Sequence, residues 1–155
     1  MDNFSEDDLG EFKKKFLKVI DNRDNRFHPL VWIHGSPEIG ENVYIGGFSE
    51  VNAKGSEVVI GDNCDISSFV AINTADSHKV CIGLASETER APIRIGNNVF
   101  IGSHSFIGGG TSIGTHSVVG AGTILSGQDI PPYSLVCGNP PVIKAGYYKD
   151  KEKDE

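Results

Sequence analysis

Positive charge is scarce in this chain and forms no cluster in its middle. Fourteen Lys and Arg stand against twenty-one Asp and Glu, a formal net charge of −7. Binding a phosphate backbone needs clustered cations, so no nucleic-acid partner is expected. Long apolar runs are missing too. The N-terminal MDNFSEDDLGEFKKK is acidic and then basic, which fits neither a signal peptide nor a membrane span and leads to the expectation of a cytoplasmic protein. Cysteine is sparse and odd in number. Cys64, Cys81 and Cys137 show no C-x-x-C spacing of the kind that marks a zinc or redox site, so free thiols in a reducing compartment are expected. At 155 residues there is room for one hydrophobic core.

What the chain has in excess is glycine, 19 residues, without the triplet period of collagen. An internal period accounts for them. An apolar residue, usually followed by Gly, recurs every six positions at Ile95, Ile101, Ile107, Ile113, Val119 and Leu125. The same step runs through Ile33, Ile39, Ile45 and Val51, and through Ile60, Ile66 and Ile72. It resumes, displaced by one, at Ile124, Ile130, Val136 and Val142. A helix wants apolar residues three and four apart, and a half-buried strand wants every second residue. Six is one short strand plus one turn. A hexad cannot bury its single apolar side chain alone, so each must stack on its equivalents in the coils above and below. The small residues four positions after the apolar one, Ser105, Thr111, Ser117 and Thr123, suit a tight interior. The glycines suit corners needing unusual dihedrals or close approach. Three hexads to a coil predict a parallel solenoid of roughly four to six coils, spaced as hydrogen-bonded strands are, about 4.8 Å apart.

The segment APIRIGNNVFIGSHSFIGGGTSIGTHSVVGAGTILSGQDIPPYSLVCGNPPVIK resembles the C-terminal half of galactoside, maltose and related sugar acetyltransferases, members of the hexapeptide-repeat acyltransferases. Its closing IPPYSLVCGNPPVIK is similar to the family's exit from the helix. The resemblance covers approximately residues 30 to 145. It implies an all-β chain, a left-handed parallel β-helix, the hand coming from the resemblance alone since parallel crossovers are generally right-handed. It also implies a homotrimer and acetyl-CoA as acyl donor, with no metal. The expected layout is an N-terminal helical segment at 1–28, the β-helix at 29–145 with an insertion at about 73–92, and a charged, frayed tail at 146–155. Leu9, Phe12, Phe16 and Ile20 carry the helical spacing behind Ser5 as N-cap, to cover an open coil end or to meet a partner.

Two departures from the six-step draw attention. Between Val51 and Ile60 the step is nine, a small corner insertion. Between Ile72 and Ile95 the repeat vanishes, and a long unpatterned segment in a compact domain is more often functional than idle. It contains His78, which matches the position of the catalytic base in the sugar acetyltransferases, although DSHK stands here where many members have a His-Pro step. The resemblance gives His78 the task of taking a proton from an acceptor hydroxyl or amine as it attacks the thioester, work suited to a group titrating near neutrality. The other reading is a solvated loop histidine. Asp76, Glu87 and Glu89 are the candidates to orient it. The resemblance places the coenzyme along Gly102, Gly120 and Ala121, with Lys144 at its phosphates and Phe100 near the groove. Lys144 reads equally as an ordinary exposed lysine and Phe100 as a core aromatic. Asn52 and Asn73 are polar side chains able to bind sugar hydroxyls. His104 and His116 read as outward turn residues, or as zinc ligands with His78 in the manner of γ-class carbonic anhydrases. The expected function is acetyl transfer to a sugar or nucleotide-sugar acceptor in surface polysaccharide synthesis, with a carbonic-anhydrase-like metal enzyme or a noncatalytic scaffold as rivals.

Overall fold

The computed structural model describes residues 30–151, together with Asp7, Gly10, Glu11, Lys15 and Phe27. Strands of two or three residues follow one another around a three-sided coil. The first sheet stacks β1 (Trp32–His34), β4 (Glu50–Asn52), β7 (Ala71–Asn73), β12 (Phe106–Gly108) and β15 (Ile124–Ser126). The second stacks β2 (Glu38–Ile39), β5 (Val58–Ile60), β10 (Ile93–Ile95), β13 (Ser112–Ile113) and β16 (Asp129–Ile130). The third stacks β3 (Tyr44–Ile45), β6 (Asp65–Ile66), β11 (Phe100–Ile101), β14 (Val118–Val119) and β17 (Leu135–Cys137), closed by β18 (Val142–Lys144). Every pairing within these sheets is parallel except β17 with β18. The result is an all-β parallel solenoid of about five coils.

The columns expected from the period are the columns found. Val51, Ile72, Ile107 and Leu125 lie in register on one side, Ile60, Ile95, Ile113 and Ile130 on the second, and Ile66, Ile101, Val119 and Val136 on the third, all buried. Ser105, Thr111, Ser117 and Thr123 are buried as expected, and their hydroxyls are bonded: Ser117 Oγ, for example, donates to Pro131 O at 3.2 Å and accepts from Ser134 N at 3.0 Å. Cys64 joins the core, where burial pushes its thiol pKa up and its Sγ lies 3.1 Å from Gly96 O.

Three expectations need correction. The displaced run at Ile124 and Val142 is not the inner column. Leu125 is fully buried while Ile124 is 40% exposed, so the step from Leu125 to Ile130 shortens to five, the missing residue being lost at the corner around Gly127. Val142 is exposed because the chain reverses and β18 pairs antiparallel on β17. The repeat glycines, secondly, serve close approach rather than unusual dihedrals. A Cβ on Gly46 would stand 2.4 Å from Ser68 N, and one on Gly102 would stand 2.5 Å from Ala121 N, because the next coil's backbone passes directly beside them. The left-handed dihedrals fall three residues after a column residue, on Asn42, Phe48, Asn63, Phe69, Asn98, His104, His116 and Tyr133. Thirdly, the start of the tail is packed: Tyr148 N donates to Tyr133 O at 2.9 Å and Lys151 Nζ lies 3.7 Å from the Tyr147 ring centroid, drawing that phenol's pKa down. Of the expected N-terminal helix, Asp7, Gly10, Glu11 and Lys15 are helical, and the rest lies outside the described residues.

Candidate active site

The three corners of the coil are built differently. Asparagine side chains stack at the corner between the second and third sides, where Asn42 Nδ2 donates to Asn63 Oδ1 at 2.9 Å. Rings stack at the corner between the third and first sides: Phe48 on Phe69 at 5.2 Å and Phe69 on His104 at 4.9 Å. The corner between the first and second sides carries both departures from the six-step. Residues 53–57 bulge from the second coil, and residues 74–92 leave the third coil as an arm.

The arm is a short antiparallel ladder, Ala75 opposite Arg90 and Asp76 opposite Glu89, topped by one turn of helix at His78–Cys81. Asp76 closes that turn from below. Its Oδ1 accepts from His78 N at 3.1 Å and meets the ring's Nδ1 at 2.5 Å. The hydrogen bond from His78 holds the Asp76 carboxyl below the usual carboxylate range. An ionised carboxylate only accepts, so a neutral His78 places its proton on Nδ1 and leaves the Nε2 lone pair free for a proton transfer. Of the three acidic candidates, then, Asp76 is the one in contact. Glu89 is engaged instead by Lys79 at 2.6 Å, which raises the lysine's pKa.

Beneath the arm lies a cleft of about 390 Å³. Asp76, Glu89 and Arg90 bound it from the arm, and Asn73, Phe106 and Ser126 from the wall. His78 stands outside this lining, joined to it through Asp76. Asn73 lies in the cleft with its Oδ1 accepting from Ala75 N at 3.0 Å. Asn52 is its partner one coil below, outside the lining, with Oδ1 accepting from Lys54 N at 3.1 Å. Both side chains therefore shape corners. Arg90, Phe106 and Ser126 were not singled out from sequence, although hexad counting holds the signal for one of them: Asn73, Gly108 and Ser126 each follow a column residue by one and pair in register.

Gly102, Gly120 and Ala121 come together at the corner between the third and first sides, away from the arm. The space beside Gly102 is taken by Ala121 itself, and a Cβ on Gly120 would meet Cys137 Sγ at 2.8 Å. Ala121 is exposed. Lys144 is exposed on β18, 5.7 Å from the Tyr147 ring centroid. Phe100 is 40% exposed on the outer face of the third sheet, so it is not a core aromatic. The three histidines of the zinc reading occupy three different corners. His78 is on the arm, His104 is stacked on Phe69, and His116 is stacked on Tyr133 at 4.9 Å. Their nitrogens do not converge, and among the described residues no group of three or more His, Cys, Asp or Glu is placed to hold a metal ion.

A triangular wall of stacked hexads with one interrupting arm defines the class, the hexapeptide-repeat β-solenoids. Residues 38–73 and 92–126 match the family described as the hexapeptide repeat of succinyl-transferase. Among solved structures it is similar to the polySia specific acetyltransferase NeuO, with 28% identity and a TM-score of 0.61 over 75% of this chain, which spans 57% of NeuO's length. It is similar also to galactoside acetyltransferase in complex with coenzyme A, with 26% identity and a TM-score of 0.54 over 100% of this chain and 94% of that one. A third is the acetyltransferase VCA0836 from Vibrio cholerae O1 biovar eltor complexed with acetyl coenzyme A, with 25% identity and a TM-score of 0.53 over 92% of this chain and 90% of that one. No curated protein matches in sequence. No helix among the described residues is long and apolar enough to cross a membrane.

Proposed function

We propose that this protein is an acetyl-CoA-dependent acetyltransferase acting on a hydroxyl or amine of a sugar or nucleotide sugar, in surface polysaccharide synthesis. The observation that carries this reading is the His78–Asp76 pair on the one arm that interrupts the repeat. The relatives act in the same sense: NeuO is specific for polySia, and galactoside acetyltransferase binds coenzyme A. His78 is the general base and Asp76 fixes its tautomer. As the acceptor oxygen or nitrogen bonds to the thioester carbonyl carbon, its proton passes to His78 Nε2. The tetrahedral oxyanion then collapses and expels the coenzyme A thiolate, which takes the proton back. Asn73 contacts the acceptor from the cleft and Asn52 supports it from below. Gly102, Gly120, Ala121 and Lys144 lie along the coenzyme.

The pair is 57% and 60% exposed on one chain, which leaves room for a second copy to close over it. The outer faces differ accordingly. The second sheet points Glu38, Arg94, Ser112 and Asp129 at water, with Arg94 paired to Glu57. The first and third sheets present Trp32, Phe106, Ile124 and Phe100. Those two faces pack in a homotrimer that places each arm against a neighbour's wall. Cys64, Cys81 and Cys137 are all unpaired, as a reducing cytoplasm keeps them.

The test is calorimetric titration of the purified protein with acetyl-CoA and with coenzyme A. Saturable binding near one site per chain supports the reading, whereas no binding returns the protein to the scaffold class. A monomer in sedimentation that still turns over sugar acceptors removes the shared site.

A further inference from the structure

We infer that Arg90 is a positioning residue, which together with the enlarged corner at residues 53–57 holds the His78–Asp76 arm in its working orientation. The catalytic part of this inference rests on the acetyltransferase reading, and the structural part does not.

The arm cannot hold itself. Its ladder is two residues deep on each side and no residue of the helical turn at its tip is buried. A two-stranded hairpin of this size has no independent stability in water. Yet Asp76 must stay fixed if it is to orient His78, so a tie to the wall is required.

The two departures from the six-step supply it. They occupy the same corner in successive coils, because Asn52 and Asn73, the residues from which they leave, are register partners. Arg90 Nη1 donates to Lys54 O, at the tip of the lower bulge. The arginine stem lies over Gly55, where a Cβ would stand 3.1 Å from Arg90 Cδ and Nε. Gly55 has φ +74°, so this corner takes a conformation that L side chains avoid and leaves bare the surface that Arg90 covers. The bulge is itself pinned: Asn52 Oδ1 accepts from Lys54 N at 3.1 Å, and Glu57 O accepts from Ile93 N at 3.0 Å. Within the arm's ladder Arg90 adjoins Glu89, the residue directly opposite Asp76. The Arg90 side chain thus links the wall to the strand pair carrying Asp76, beside the Asn73 Oδ1 bond to Ala75 N at its base, and the nine-residue step at 51–60 is the seat of the arm.

The experiment compares Arg90→Met, which keeps the apolar stem and removes the donors, with Arg90→Lys, which keeps a cationic donor. Hydrogen exchange is followed at the arm amides of the full-length protein, including Cys81 N and Ile82 N, which bond to Ser77 O and His78 O. Acetyl transfer from acetyl-CoA to a sugar acceptor is measured alongside. Arg90→Met should speed exchange across 75–90 about five- to tenfold, the scale of one net hydrogen bond. The wall's thermal midpoint should not move. The same variant should lower kcat by a similar factor while KM for acetyl-CoA stays within about twofold, and Arg90→Lys should recover most of both losses. Unchanged exchange overturns the inference, and so does a raised acceptor KM at constant kcat, which would make Arg90 an acceptor contact instead. If the wild-type protein transfers no acetyl group, the acetyltransferase reading fails, while the exchange comparison still decides whether Arg90 holds the arm.

Discussion

Along the wall of this protein each residue repeats the work of the one a coil away, while on the arm no residue has an equivalent. Ile66, Ile101 and Val119 sit one above another with no exposed surface, each packed by the same kind of neighbour. Val80, Ile82 and Leu84 on the arm are exposed, Leu84 to 75%, and the arm is held by polar contacts of His78 with Asp76, Lys79 with Glu89 and Arg90 with Lys54 O. Parallel β pairing and stacked aliphatic columns supply stability, and they leave no position where a single polar side chain is distinct from its copies. The proposed chemistry therefore sits where the period is interrupted. The interruption is tolerated because long surface insertions cost little closure entropy.

This division is broken most sharply by His78→Ala. Turnover should fall by roughly two to four orders of magnitude, the scale of general acid–base catalysis, with an unchanged thermal midpoint. A near-normal rate would move the base elsewhere. Ile101→Ala attacks the other region. It should cost about 2–5 kcal/mol, the range for truncating a buried aliphatic side chain, read as a lower thermal midpoint, while correctly folded protein keeps its affinity for acetyl-CoA. If instead Ile101→Ala weakened coenzyme binding in protein that stayed folded, wall and site would not be separable.

Asp76→Asn sharpens the comparison within the arm. It should lower kcat about ten- to a hundredfold, as loss of an orienting partner does, again without loss of wall stability. Its pH signature has a definite sign. Asp76 titrates lower in the folded protein because His78 bonds it. The pair's contribution to arm order is therefore complete above the unfolded carboxylate pKa, about 3.9, and disappears as pH falls through the lowered folded value. Hydrogen-exchange protection of the arm should thus differ between wild type and Asp76→Asn above about pH 4 and converge only as pH falls through the lowered folded value. A difference that persists at lower pH would assign the protection to another contact.

The wall was legible because its rule is local. A period of six fixes which side chains point inward within each run, whereas the stacking of Ile95 on Ile60, 35 positions apart and across the break in the repeat, is set by the register. The rule failed where two apolar residues were adjacent. Either Ile124 or Leu125 could continue the column, and only the pairing of Ile107 with Leu125 settles the choice. The left-handed corners were also missed, since Phe48, Phe69 and Tyr133 are not residues that favour positive φ on their own. Ring stacking between coils holds them there. In the proposed site, His78 stood out as the one histidine of the aperiodic segment and through the family resemblance. The choice of Asp76 over Glu87 and Glu89 was not, because it depends on the hairpin register that puts Glu89 against Lys79.

The sequence by itself determined the solenoid, a range of coil numbers and the place of the interruption, because each follows from spacing along the chain. Tertiary structure alone decided that two insertions 21 residues apart, measured between Asn52 and Asn73, share one corner. It alone decided that Arg90 reaches Lys54 across 36 positions, and that three histidines stand at three separate corners. Those are facts about which coil lies above which, and hydrogen bonding between coils sets them.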